Sequence, residues 1–219
     1  PMKIFLQRYG IYLSTTTIHK YMNKDLNLSA IVMRKKPGYK SCKKHKIFDN
    51  LLKQKFNVDE KNKIWCTDFT YMRQPNGKFR YNCTIMDLFD RSAIASVNSD
   101  YINTELAIET LTEALKKEKP NNGILLHSDQ GVQYTSWEFV NFCKDNGVIQ
   151  SMSKAGCPYD NAPMERFYNT FKNCFYYRYT FESVEQLDEM TKQYINWYNY
   201  VRPHSTNNYM TPMEFRYRA

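Results

Sequence analysis

Between Lys63 and Ser99 three β-rich runs follow one another: "KIWCTDFTYM", "KFRYNCTIMDLF" and "SAIASVNS". Pro75-Asn76-Gly77 separates the first two and is a turn signal that joins antiparallel neighbours. After them the pattern alternates. Asn103 caps a helix to about Lys117, "ILLHS" reads as a short apolar strand, and Thr135-x-x-Glu138 as a capping box. The helix it opens stops at Asn146-Gly147, and "VIQSM" is a fifth strand. Beyond the loop "SKAGCP", Asp160 or Asn161 caps a long helix to about Tyr177. Ser183-x-x-Gln186 opens another to about Tyr200, and Thr211-x-x-Glu214 a short last one. Three strands paired in sequence, then α-β-α-β-α, bury their apolar faces as an α/β fold: a five-stranded mixed sheet flanked by helices.

Charge divides the chain unevenly. Residues 1–58 carry 13 Lys or Arg against 2 acids, and the remaining residues 18 against 20. A neutral body with a basic arm suits a polyanion, because each phosphate neutralised releases counterions. A solvated, solubilising tail is the competing explanation. No stretch of 18 apolar residues and no signal-peptide pattern occurs, so a soluble, cytoplasmic protein with no membrane association is expected. The six cysteines form no Cys-x-x-Cys pair, and the four histidines are scattered, so no zinc site is expected; reduced thiols fit a cytosolic chain.

Met2–Tyr9 and Thr15–Asn23, with Gly10 between them and Ser14 as N-cap, read as the remnant of a helix-turn-helix over residues 1–33. Thr16 and Lys20 would face DNA, and upstream helices are expected before it. Residues 34–60 read as a basic linker, in which "RKKPGYKSCKKHK" offers Lys35, Lys36, Lys43 and Lys44 to phosphates. Residues 61–180 form the expected α/β core, and 181–219 a C-terminal helical extension.

Three acids occupy places where burial normally selects other residues. Asp68 lies within a run of large apolar residues, Asp129 ends an apolar strand, and Glu165 sits between Met164 and Phe167 in a helix's first turns. Ionised carboxylates near a core are costly unless paired, hydrogen-bonded or metal-bound. Singly, each also fits a plain structural role, as a turn cap or a helix-dipole partner.

Together with "TDFTY", "HSDQGVQYTS", "DNAPMERFYNTFK" and "YNYVRPHSTNNYMTPMEF", and with 35 residues between Asp129 and Glu165, the chain resembles the DDE transposase and retroviral integrase superfamily. The likeness extends to the integrase-like OrfB proteins of bacterial insertion sequences of the IS-three group, over about residues 10–215. It implies an RNase H-like fold with Asp68, Asp129 and Glu165 as catalytic metal ligands. Two Mg²⁺ or Mn²⁺ ions would serve each site, Asp68 bridging both, Asp129 holding one and Glu165 the other. It further implies strand nicking and 3′-OH strand transfer on double-stranded DNA, namely terminal inverted repeats and a target. A homodimer or higher oligomer on DNA and an upstream-frame partner protein go with it, as does a bacterial, nucleoid-associated location. The retroviral His-His-Cys-Cys zinc pattern is missing from this sequence.

Other residues carry weaker readings. Glu165, Asn169 and Lys172 share a helix face, where Lys172 could hold a phosphate. Asn161 suits either a helix cap or DNA. Gln133 and Tyr134 read as DNA contacts in a loop. His127 reads as a proton shuttle or as a satisfied buried histidine. The aromatic cluster of Tyr176, Tyr177, Tyr179, Trp197, Tyr198 and Tyr200 reads as packing or base stacking. Two other functions remain open: a catalytically silent DNA-binding regulator derived from a transposase, and an RNase H-like nuclease without strand transfer.

Overall fold

The computed structural model describes residues 2–28, 46–74, 76–121 and 123–218. The five expected strands are β1 (Ile64–Arg73), β2 (Phe79–Asp87), β3 (Ala93–Ser99), β4 (Ile124–Ser128) and β5 (Val148–Met152). They form one sheet in the order β3-β2-β1-β4-β5. β1, β2 and β3 pair antiparallel as consecutive neighbours, whereas β4 joins β1 and β5 joins β4 in parallel. Parallel neighbours need crossover connections, and helices supply them.

The helices are α1 (Met2–Arg8), α2 (Thr15–Lys20), α3 (Thr104–Glu118), α4 (Val132–Thr135), α5 (Trp137–Asp145), α6 (Ala162–Cys174), α7 (Val184–Tyr200) and α8 (Pro212–Arg218). Strand alternation sends Cys66 and Met72 to one face of β1, where they pack with Met164, Phe167 and Phe171 of α6 and Leu187, Tyr194 and Tyr198 of α7. Trp65 points to the other face, among Leu111 of α3, Leu126 of β4 and Phe139 of α5. Two cores therefore sandwich the sheet.

Several helix starts follow the expected hydrogen-bond chemistry. Asn103, Ser183 and Ser14 accept from the backbone N–H three residues on, at Leu106, Gln186 and Thr17. Thr211 and Glu214 make a reciprocal capping box. Other expectations fail. The cap of α5 is Ser136, not Thr135, because Val132–Thr135 fold into α4 and the Thr135 hydroxyl donates to Val132 O. Neither Asp160 nor Asn161 caps α6, since both side chains are engaged elsewhere. α6 stops at Cys174, and Tyr176–Arg178 form a separate 3₁₀ turn. The expected helix over Thr15–Asn23 is α-helical only to Lys20, then widens into a π turn over Tyr21–Asp25. Lys35, Lys36, Lys43 and Lys44, with most of the basic run of the expected linker, lie outside the described residues.

Candidate active site

Ladder register places the two aspartates. β1 and β4 run parallel with Ile64 opposite Leu125, Trp65 opposite Leu126 and Cys66 opposite His127. The ladder ends at that pair, so Asp68 and Asp129 each lie two residues beyond it, and alternation puts Asp68 on the Cys66 face of β1. Asp129 lies just past the last residue of β4, where the chain leaves the sheet. Their fields meet at one phenol: burial first pushes the Tyr134 hydroxyl well up, and Cys83, Asp68 and Asp129 add to the rise.

Helix α6 brings the third acid. Asn161 Nδ2 donates to Thr67 O at 3.1 Å, and Tyr168 OH donates to Asp68 O at 2.9 Å. These two bonds tie the start of α6 and its second turn to β1, and Glu165 lies in the sequence between them. All three acids are half-buried.

The aspartates are held locally. Phe69 N donates to Asp68 Oδ1 and Gly131 N donates to Asp129 Oδ1, each at 2.8 Å. A Cβ at Gly131 would lie 2.9 Å from both Asp129 Oδ1 and Gln133 Oε1, so a larger residue there would have to move those side chains. Among the described residues no three His, Cys, Asp or Glu side chains stand gathered as a ready metal cage. The donor chemistry does fit a hard divalent cation, since carboxylate oxygens are the ligands such ions prefer. In addition, Asn161 Oδ1 is a buried acceptor with no hydrogen-bond partner among the described residues, suited to a cation's bound water.

The remaining expected site residues separate. Lys172, half-buried on α6, places its Nζ 4.2 Å from the centre of the Tyr71 ring. Gln133 is half-buried and donates to Ile102 O. Tyr134 is no DNA contact: it is buried on α4, with its hydroxyl 3.0 Å from Thr67 Oγ1. Asn161 is likewise a buried strut, not a DNA contact. Thr16 and Lys20 are exposed, four residues apart on α2.

His127 is the satisfied buried histidine, its Nδ1 and Nε2 lying 2.9 and 3.1 Å from the hydroxyls of Ser151 and Ser153. Burial pushes its pKa down to about 4, which keeps it neutral. Of the aromatic cluster, Tyr198 is core and Tyr176 bonds Arg73, whereas Tyr177, Tyr179, Trp197 and Tyr200 are exposed. One feature escaped sequence reasoning: Tyr71 and Phe79, three and eleven residues after Asp68, form an exposed aromatic pair. Its signal was the large rings at solvent-facing strand positions.

The chain is similar to known integrases and transposases. Two models of the integrase core domain match, over residues 58–158 and 146–212. The transposase for insertion sequence element IS904 of Lactococcus lactis is 35% identical over 167 residues, 76% of this chain and 66% of that protein. Transposase InsF for insertion sequence IS3A of Escherichia coli is 33% identical over 171 residues, 77% of this chain and 59% of that protein. The chain thus spans less than two thirds of these two relatives. An uncharacterized transposase-like protein of Haemophilus influenzae is 35% identical over 173 residues, 78% of either chain.

Among solved structures, a chain of the simian T-cell lymphotropic virus intasome in complex with PP2A regulatory subunit B56 gamma superposes with a TM-score of 0.64 at 17% identity, covering 98% of this chain and 70% of that one. The HTLV-2 integrase catalytic core domain in complex with magnesium (dimeric form) gives 0.58 at 16%, covering 72% and 97%. These likenesses show the fold, which is RNase H-like. An integrase core matched along most of its length, carried on that sheet, makes this chain a member of the DDE transposase and retroviral integrase superfamily.

Proposed function

We propose that this chain is the catalytic part of an insertion-sequence transposase, which nicks DNA at the element's ends and transfers the resulting 3′-OH to target DNA. One observation supports the reading: Asp68 and Asp129 follow the paired Cys66–His127 end of two neighbouring parallel strands, and α6, which carries Glu165, is tied to β1 at Thr67 and Asp68. Asp68, Asp129 and Glu165 are the residues that would hold divalent cations. When bound, Mg²⁺ or Mn²⁺ would polarise the scissile phosphate and lower the pKa of the attacking hydroxyl.

The chain's own part is positioning. The Gly131 and Phe69 amides fix the aspartates' orientation, and Asn161 and Tyr168 hold α6 at the correct height. Lys172 supplies positive charge for phosphates beside the acids. Neutral His127 takes no part in proton transfer. No side chain needs to form a bond to DNA. We take residues 61–180 as the catalytic core, 181–219 as its helical extension, and the basic N-terminal segment as the arm that tracks duplex DNA. Joining two element ends calls for at least two copies on the DNA, in the bacterial cytoplasm.

The test is incubation of labelled element ends with Mg²⁺ or Mn²⁺, separating nicked from joined products. Asp129→Asn should lose both, by more than the roughly 100-fold that removing a metal ligand's own hydrogen-bond partner costs. DNA binding should persist. Nicking by Asp129→Asn at the wild-type rate would refute the assignment, and a wild type that binds DNA without cutting it would favour the silent regulator.

A further inference from the structure

β4 covers β1 only as far as Cys66, so from Thr67 to Arg73 that edge of β1 is open, while β2 pairs along its other edge. On that overhang Tyr71 is 59% exposed and Phe79 42% exposed, their rings meeting edge to face at 5.5 Å. Tyr81 extends the row, 6.3 Å from Phe79. Two cations lie against the rings: Lys172 Nζ is 4.2 Å from the centre of Tyr71, and the Arg73 guanidinium 5.7 Å from that of Phe79. Neighbouring rings left in water are costly, unlike single scattered ones. Rings interleaved with cations make a surface that stacks bases while neutralising their phosphates.

Its place is specific. Tyr71 follows Asp68 by three residues, about 10 Å along the strand and on its other face, and Lys172, two helical turns after Glu165, reaches round to the Tyr71 ring. Lys172 thus links the helix that carries Glu165 to the aromatic row. We propose that Tyr71 and Phe79 form a platform that stacks an unpaired nucleotide next to the phosphodiester presented to Asp68, Asp129 and Glu165, with Lys172 and Arg73 on the flanking phosphates. Stacking there offsets the cost of unpairing the duplex end so that the acids reach its backbone. The inference rests on the proposed DNA-cutting activity and names the form of DNA the site takes.

The test uses the full chain and two short single strands: one with 2-aminopurine at its 3′ end, and the same strand abasic at that position. Tyr71→Ala should bind the first about 5- to 150-fold more weakly than wild type, with less 2-aminopurine quenching, while binding the abasic strand equally well. Tyr71→Phe should match wild type on both, which shows that the ring and not the hydroxyl matters. An equal loss on both strands, or no loss on either, overturns the platform. So does a dimer that Tyr71→Ala disperses without changing base-dependent binding, since the rings would then serve a second copy. If wild type cuts DNA and Tyr71→Ala alters neither cutting nor affinity, the platform falls and the transposase reading stands. If wild type cuts nothing yet Tyr71→Ala shows the base-dependent loss, the platform stands and the transposase reading falls.

Discussion

Gly131 makes the orientation of Asp129 depend on a missing methyl group. Its amide holds Asp129 Oδ1 at 2.8 Å, and a Cβ would come within 2.9 Å of that same oxygen. Gly131→Ala must therefore displace the carboxylate, and a displacement of about 1 Å at a reacting centre costs on the order of 100-fold in rate. We expect that loss in single-turnover nicking with little change in the thermal unfolding midpoint; an unaltered rate would show that the amide bond does not set the geometry. The two buried histidines give a second residue-scale expectation. Burial lowers the pKa of His127 to about 4, and burial with the Arg202 charge lowers that of His204 to about 3. The unfolded chain takes up these protons below about pH 6.5 and the folded chain does not. Their contribution to stability is thus complete above about pH 6.5 and declines as pH falls toward 4 and 3. Urea midpoints should drop between pH 7 and pH 5, and His127→Gln should flatten that slope; an identical slope in the variant would contradict the neutral-histidine assignment.

Helix α8 is held by a buried charge cluster. Arg216 reaches Asp87, Asp90 and Glu118, and also Asn62 at 3.0 Å, with Asp87 and Asp90 fully buried. Removing one partner of a buried ion pair leaves the others uncompensated, which costs about 3–5 kcal/mol. Arg216→Ala should lose stability on that scale by urea unfolding, and a change below about 1 kcal/mol, typical of exposed ion pairs, would show that the cluster is solvent-screened. Elements of this kind differ in how legible they are from sequence. Strand alternation and the caps at Asn103, Ser183 and Thr211 are local, with partners within three residues, so they can be read directly. The start of α6 cannot, because Asn161 bonds Thr67 and Asp160 bonds Asn50 and Gln54, roughly a hundred residues away. α4 is four residues long, too short for helical periodicity, so Tyr134 looked like an exposed loop residue although it packs in the core. The acids Asp68, Asp129 and Glu165 stood out because their surroundings are apolar, a property visible along the chain; their placement depends on strand pairing and helix docking, which are not.

At the scale of the whole molecule, charge separates into a basic N-terminal segment and a neutral body, which could be counted before any fold was known. Residues 2–28 of that segment reach the body through Arg8, which bonds Tyr209 O and pairs with Glu214, both partly exposed, whereas residues 46–58 pack into it through Leu52, Asn50 and Gln54. The light attachment of residues 2–28 suits an arm that follows DNA phosphates. Deleting residues 1–46 should weaken DNA binding across sequences and flatten the dependence of log affinity on log salt, by about 0.9 for each phosphate that the segment neutralises. Equal slopes with and without the segment would exclude it from the DNA interface. The Arg216 cluster has a further consequence for how the protein is made. Asp87 and Asp90 are translated well over a hundred residues before the guanidinium that neutralises them. While the ribosome is still elongating, the sheet's central strands can pair, but two carboxylates at their edge must stay hydrated. Closure of the core thus waits on Arg216, and any product cut short before it is left open to proteolysis.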